Sequence, residues 1–136
     1  MPVQTTPHLN FRGQARDALD FYHLVFGGEQ TIVTYGELGA TQDAAQAKQV
    51  MWGQVASDQG FRIMAYDVQP DKPWHPGENA FYVAVRGTGA EEITTQWEKL
   101  REGASVLQPL GASAWSPLYG MLTDRFGVTW VMDVMA

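Results

Sequence analysis

The chain of 136 residues contains no cysteine, little positive charge and no long apolar run. Without cysteine it can form neither a disulfide, nor a thiolate metal site, nor a thiol nucleophile. A membrane-spanning helix needs about 18 consecutive apolar residues, and no such run is present. The N-terminus, Met1-Pro2-Val3-Gln4, also lacks the basic and then apolar pattern of a signal peptide. We therefore expect a cytoplasmic protein.

Basic residues are outnumbered, with 9 Lys and Arg against 15 Asp and Glu and a formal net charge of -6. A nucleic-acid-binding protein needs a basic surface to neutralise phosphates, so a nucleic-acid partner is not expected. The same negative charge repels anionic membranes and favours cationic ligands. The sequence also lacks the HExxH, GxSxG and P-loop motifs, which removes the commonest metalloprotease, hydrolase and nucleotide-binding sites.

What is present is a well-patterned globular chain with 45% hydrophobic residues. Helical spacing of apolar residues predicts one helix at about 15–26. A second helix is predicted between Thr88, which with Glu91 forms a capping-box pattern, and Gly103. A loop is expected at 36–47, a proline-rich linker at 69–78 and another loop at 111–116. Alternating or β-branched residues predict eight strands, at 3–12, 29–35, 48–56, 61–68, 79–86, 104–110, 117–123 and 128–135.

The predicted elements follow the order βαβββ twice, which gives an α+β fold with pseudo-repeats at about 3–68 and 79–135. Short echoes at similar positions support a duplication, although glycine-flanked matches can also arise by chance. The echoes are Phe11-Arg12-Gly13 with Val85-Arg86-Gly87, Ser57-Asp58-Gln59-Gly60 with Thr123-Asp124-Arg125-Phe126-Gly127, and Asp67-Val68 with Asp133-Val134.

Several local motifs resemble the PhnB-like proteins of the vicinal oxygen chelate superfamily, which includes glyoxalases, dioxygenases and bleomycin resistance proteins. The resemblance extends from about residue 5 to residue 134. It implies a single domain over 1–136, in which two tandem βαβββ modules form a curved sheet around a cleft, with the helices outside. The motifs are Pro7-His8-Leu9-Asn10-Phe11-Arg12-Gly13, Ala18-Leu19-Asp20-Phe21-Tyr22, Val25-Phe26-Gly27-Gly28-Glu29, Leu100-Arg101-Glu102-Gly103, Pro109-Leu110, Trp115-Ser116 and Asp124-Arg125-Phe126-Gly127-Val128-Thr129-Trp130.

The resemblance also implies where a metal would lie. Metal-using members hold one divalent ion with four inward-facing His or Glu side chains, two from each half of the chain, and the ion activates neighbouring substrate oxygens. PhnB-like relatives usually carry His, a small residue and Glu where this chain has Trp52-Gly53-Gln54. We therefore predict no metal, no cofactor and no catalytic residue, and a divalent metal is disfavoured. This depends on register, because a slip of one residue exchanges the two faces of a strand. The inward positions predicted here are Thr6 or His8, Gln54, Tyr82 and Val131.

Aromatic residues suggest a different use of the cleft, since the chain has five tryptophans. Aromatic walls hold flat or cationic ligands, although tryptophan is also a common core residue. We therefore expect metal-free binding of a small molecule, as in bleomycin-type resistance proteins. Two alternatives remain: a lyase, isomerase or dioxygenase-type enzyme with a drifted metal site or with His8 as a base, and a scaffold without a ligand. The resemblance also implies a homodimer. The candidate cleft residues are His8, Trp52, Gln54, Met64, Tyr82, Trp115 and Trp130.

Overall fold

The computed structural model describes residues 3–135, and the chain divides after Pro76 into two compact units. We call the unit that ends at Pro76 module one and the unit that begins at Gly77 module two. The described residues contain eight strands in two four-stranded sheets, together with three helices. The predicted α+β class and the two βαβββ modules are therefore confirmed. No helix among residues 3–135 is both long enough and apolar enough to cross a membrane.

Module one is a four-stranded mixed sheet with one long helix. Its elements are β1 (His8–Phe11), α1 (Ala15–Phe26), β2 (Glu29–Thr34), α2 (Ala44–Ala47), β3 (Val50–Ala56) and β4 (Arg62–Asp67). The strand order is β1-β4-β3-β2, with β1 parallel to β4 and the other neighbours antiparallel.

Helix α1 covers one face of this sheet because its apolar residues recur at helical spacing. Leu19 and Tyr22 are fully buried there. Gly53 of β3 lies under the helix so closely that a Cβ atom would be 2.4 Å from Leu19 Cδ1. Side chains that alternate with Gly53 therefore project from the opposite face, which we call the distal face of module one.

A buried carboxylate joins the helix to the sheet. Asp67 Oδ1 accepts hydrogen bonds from the backbone N–H groups of Gly13 (2.7 Å) and Ala15 (3.1 Å), and Oδ2 accepts one from Val50 (2.9 Å). The buried Tyr35 hydroxyl donates to the Asp67 carbonyl oxygen at 2.6 Å. Burial raises the pKa of Tyr35 above its usual 10.0, and the nearby charges of Tyr66, Asp67 and Asp71 add to the rise.

Module two repeats this plan with the strand order β5-β8-β7-β6. Strands β5 and β8 are parallel, and the other neighbours are antiparallel. Helix α3 buries Ile93, Trp97 and Leu100. Gly120 lies against the Trp97 ring, so this position faces the helix. The elements are β5 (Val83–Gly87), α3 (Ala90–Leu100), β6 (Ser105–Gly111), β7 (Leu118–Thr123) and β8 (Thr129–Val134).

Two predicted strands begin four or more residues later than expected. The first begins at His8 instead of residue 3, and it follows Pro7, which has no N–H to donate to a neighbouring strand. The fifth begins at Val83 instead of residue 79. Asn79 has a positive φ of 55°, which is a turn conformation incompatible with a strand.

Two local predictions were wrong. The segment predicted as a loop at 36–47 contains the short helix α2, which begins where the Asp43 carboxylate accepts a hydrogen bond from Ala45 N. Thr88 does not cap α3. The N-cap is Gly89, which has no side chain to cap with, so α3 starts one residue later than the capping-box pattern indicates.

The echo between Asp67 and Asp133 is not a structural equivalence. Asp67 faces α1, whereas Asp133 is paired with Tyr119 of β7, the neighbour of the helix-facing Gly120. Asp133 therefore projects away from α3 and forms an ion pair with Arg86 at 3.0 Å. The two halves share a fold, but this short match places the two carboxylates on opposite faces of their sheets.

Candidate functional site

The distal face of module one brings three of the predicted cleft residues into one row. His8 of β1 pairs with Met64 of β4, Met64 pairs with Gln54 of β3, and Gln54 pairs with Thr31 of β2. All four alternate with residues that face α1, so their side chains project from the same surface. His8, Gln54 and Met64 therefore lie next to one another across the sheet.

Aromatic rings flank this row. Trp52 lies two residues before Gln54 on β3, is 36% exposed and projects from the distal face. Tyr66 lies two residues after Met64 on β4, and its ring makes an edge contact with the His8 ring at a centroid distance of 5.2 Å. His8 Nδ1 also forms a 2.8 Å hydrogen bond with Asn10 Oδ1. The imidazole is thus oriented by a neighbouring amide and a neighbouring ring.

One cation reaches the same surface. Arg62 is the first residue of β4, and one of its terminal nitrogens lies 3.5 Å from Gln54 Oε1. Its Nε is buried and has no hydrogen-bond partner among the described residues. Neither Arg62 nor Tyr66 was among the cleft residues predicted from the sequence. The signal was the strict alternation of positions 62, 64 and 66 with the buried Ile63 and Ala65, which places Arg62 and Tyr66 beside Met64.

Two further predicted residues lie in module two. Tyr82 precedes β5, is 41% exposed and donates a hydrogen bond from its hydroxyl to Asn79 Oδ1 at 2.8 Å. Trp115 lies in the loop before β7, is 63% exposed and makes an edge contact with the Tyr119 ring at 5.1 Å. Both therefore present aromatic surface to solvent.

Trp130 is a core residue of module two. It is fully buried, and its Nε1–H donates to the Asp124 carboxylate at 2.8 Å. Trp130 pairs with Leu122, which lies two residues after the helix-facing Gly120 on β7. Trp130 therefore faces α3, and the next residue, Val131, faces away. The expectation that Trp130 lines a cleft is corrected here, since it offers no surface to a ligand.

On the side of module two facing away from α3, Val131 lies in a row without charged side chains. It pairs with Ala84 of β5 and Met121 of β7, and Met121 pairs with Gln108 of β6. The charged groups of this surface are Arg86 and Asp133, which already neutralise each other. The row through Val131 therefore holds no imidazole or carboxylate ligand.

Neither row by itself supplies the donor set that the divalent ion implied by the resemblance would need. Such an ion needs several imidazole or carboxylate ligands. The row in module one supplies one imidazole, from His8, and one neutral amide, from Gln54, and the row through Val131 supplies neither donor type. Within residues 3–135, no three His, Asp or Glu side chains are close enough to share an ion.

Known proteins similar to this chain match it over nearly its whole length. Protein PA1353 from Pseudomonas aeruginosa is 30% identical, with 98% of each chain covered and a TM-score of 0.86. The PhnB protein from Bacillus cereus is 27% identical, with 97% of this chain and 99% of that chain covered and a TM-score of 0.71. Protein YjdN from Escherichia coli is 24% identical over 143 residues, covering 99% of this chain and 96% of that one.

The sequence also matches the model of a protein family over most of its length. The model of the Glyoxalase/Bleomycin resistance protein/Dioxygenase superfamily matches residues 7–132. Together with the PhnB protein among its structural neighbours, this confirms the predicted resemblance. The chain belongs to the Glyoxalase/Bleomycin resistance protein/Dioxygenase superfamily.

Proposed function

We propose that this protein binds a small organic molecule on the distal face of module one without a metal ion. The observation that carries the proposal is the grouping of two aromatic side chains, Trp52 and Tyr66, with the polar side chains of His8 and Gln54 on one surface. Small-molecule sites usually combine apolar and aromatic walls with a few polar groups that orient the ligand. This surface has both components.

The aromatic part would supply most of the affinity. A tryptophan or tyrosine ring stacked on a planar ligand buries a large apolar area and adds a favourable contribution from the ring quadrupole. Trp52 is more than one-third exposed, although tryptophan is usually buried to a high degree. A ligand that covered Trp52 and Tyr66 would remove this apolar surface from water.

The polar part would fix the orientation. The His8 imidazole is held by Asn10 and Tyr66, and Gln54 offers an amide oxygen and two N–H donors. These groups can recognise a polar substituent, but they do not supply the negative charge that a divalent cation requires. A binding or sequestering role therefore suits them better than metal-dependent chemistry of the lyase, isomerase or dioxygenase type.

Tryptophan fluorescence tests the proposal directly. A library of planar aromatic compounds, cationic, neutral and anionic, is titrated into the protein after dialysis against EDTA. We expect saturable quenching by at least one class, which is lost in Trp52→Phe and retained in Trp115→Phe. Quenching by no compound would contradict the proposal. Quenching that appears only after addition of Mn²⁺ or Ni²⁺ would instead support the enzymatic alternative.

We also propose that the protein forms a homodimer, and strand β6 supports this. It is the last strand of the sheet in module two, and Val106 and Leu107 are 41% and 53% exposed. The segment Ser105–Gly111 carries no charged residue, so the contact we propose is packing of its exposed apolar side chains, since Pro109 has no N–H to donate to another strand. A second copy of the chain would cover this apolar edge.

Light scattering coupled to gel filtration tests the dimer. We expect the wild type to have twice the mass of one chain and Leu107→Lys to shift towards one chain mass. Leu24→Lys is the matched control, because Leu24 is also an exposed leucine, at 68%, but belongs to α1 and not to β6. A wild type with the mass of one chain would refute the proposal, as would a dimer unaffected by Leu107→Lys.

A further inference from the structure

We propose that the ligand of the distal face is a planar aromatic compound that carries a carboxylate, and that Arg62 is the residue that recognises the carboxylate. This inference rests on the proposed function, because it names the ligand class of the same surface. It goes beyond the proposed function by assigning a negative charge to the ligand, even though the chain itself has a formal net charge of -6.

The position of Arg62 supports this role. It is paired with Ala56 of β3 and alternates with the fully buried Ile63, so its side chain projects from the distal face. On the same strand follow Met64 and Tyr66, which belong to the surface described above. The guanidinium therefore lies at one end of this surface and the aromatic rings lie at the other.

The hydrogen bonding of Arg62 is incomplete. Its Nε is buried and has no partner among the described residues, and the contact of a terminal nitrogen with Gln54 Oε1 is long, at 3.5 Å. A buried N–H without an acceptor is unfavourable, and more so in a charged group. The guanidinium presents its N–H groups as a planar fork that matches the two oxygens of a carboxylate. A ligand carboxylate would pair with the terminal N–H groups, which have no ion-pair partner within residues 3–135, whereas the buried Nε could be reached only if the Arg62 side chain shifted.

No carboxylate within residues 3–135 is paired with the Arg62 guanidinium. Arg62 forms no ion pair within residues 3–135, whereas Arg86 of module two is paired with Asp133. The acidic residue in the same row is Glu29, which pairs with Ala56, the neighbour of Arg62. Its Cα lies two strand spacings from that of Arg62, at about 10 Å, and Glu29 forms no ion pair with Arg62 within the described residues.

The spacing fits one small molecule. Two residues along a strand span about 7 Å, so Trp52 lies about that far from Gln54, whose amide contacts Arg62. A fused two-ring compound with one carboxylate has a similar length. The carboxylate would lie between Arg62 and Gln54, and the rings would cover Trp52 and approach Tyr66.

The experiment compares two compounds of nearly the same shape, one with a charged carboxylate and one with a neutral carboxamide. Sodium 2-naphthoate and 2-naphthamide have the same rings, but the amide is neutral. Each is titrated calorimetrically into the wild type and into Arg62→Met, which keeps an apolar stem and loses the guanidinium. A charge-assisted hydrogen bond predicts that naphthoate binds the wild type roughly tenfold more tightly or better, and that Arg62→Met removes this preference.

The control is Arg86→Met, which removes an arginine that is already paired, and we expect the preference for naphthoate to persist in it. Equal binding of both compounds by the wild type would overturn the carboxylate inference and leave the proposed aromatic site intact. If naphthoate does not bind but cationic aromatic compounds quench the tryptophan fluorescence, the carboxylate inference is likewise overturned and the proposed aromatic site is retained. Circular dichroism of Arg62→Met shows that it folds, and unchanged naphthamide affinity shows that its aromatic surface is intact.

Discussion

Asp67 is the residue whose replacement tests the architecture of module one most sharply. Its carboxylate holds the backbone N–H groups of Gly13, Ala15 and Val50, and so connects β4 to the start of α1 and to the start of β3. Asp67 is 1% exposed, so water cannot replace the carboxylate without local opening. Its loss should therefore disturb both the start of α1 and the start of β3.

The size of the effect follows from the hydrogen bonds. In Asp67→Asn the amide oxygen can keep the two bonds at Oδ1, but the amide nitrogen then opposes the Val50 N–H. One bond to a charged acceptor is lost, which costs about 2–3 kcal/mol. In Asp67→Ala all three donors lose their acceptor, and we expect a cost of about 3–5 kcal/mol, comparable to breaking a buried pair.

Urea unfolding gives the free energy, and amide hydrogen exchange locates the change. We expect the Ala15 and Val50 amides to lose protection in both variants. Asp133→Asn is the control. The Asp133 side chain is only 9% exposed, but its partner Arg86 is 57% exposed, so water can hydrate the guanidinium when the charge of Asp133 is removed. We therefore expect a smaller cost than for Asp67→Ala, which leaves three N–H donors without an acceptor. A cost below about 1 kcal/mol for Asp67→Ala would refute the reasoning, since even one unsatisfied buried donor costs that much.

Two further predictions concern module one. Gly28→Ala should destabilise the protein by about 1–3 kcal/mol more than Gly27→Ala, as measured by thermal unfolding. Both glycines have positive φ, but only at Gly28 would a Cβ atom meet backbone, 2.4 Å from Ala56 O. Equal losses of stability in the two variants would contradict this. The raised pKa of Tyr35 predicts stability that is complete below pH 10.0 and lost as pH rises from 10.0 through the higher folded-state pKa. Tyr35→Phe should remove this part of the alkaline loss, and an unchanged pH profile would refute it.

The fold was predictable because the strongest signals were local. The apolar stripe of α1 and the terminating Gly27 placed the helix at its observed bounds, Ala15–Phe26. Strand ends were less predictable, because pairing with a neighbour decides them. Leu9 and Phe11 are buried in β1, but residues 3–7 have the same alternation in part and remain outside the strand.

The candidate site was predictable only in part. The alternation of β3 indicated that Trp52 and Gln54 share a face, and the structure places His8 and Met64 beside Gln54. Trp130 could not be assigned from sequence, because which face of β8 meets α3 depends on register. Arg62 was missed for another reason. An arginine at a strand start is usually solvated, and only the structure shows that its Nε is buried without a partner.

The central claim is that the distal face of module one binds an organic ligand without a metal. The most direct measurement is a calorimetric titration of Mn²⁺ or Ni²⁺ into the EDTA-treated protein, followed by titration of the aromatic ligand in the presence and absence of the ion. We predict no stoichiometric metal binding at neutral pH and the same ligand affinity in both samples. One tightly bound ion per chain, with ligand binding only when that ion is present, would contradict the account.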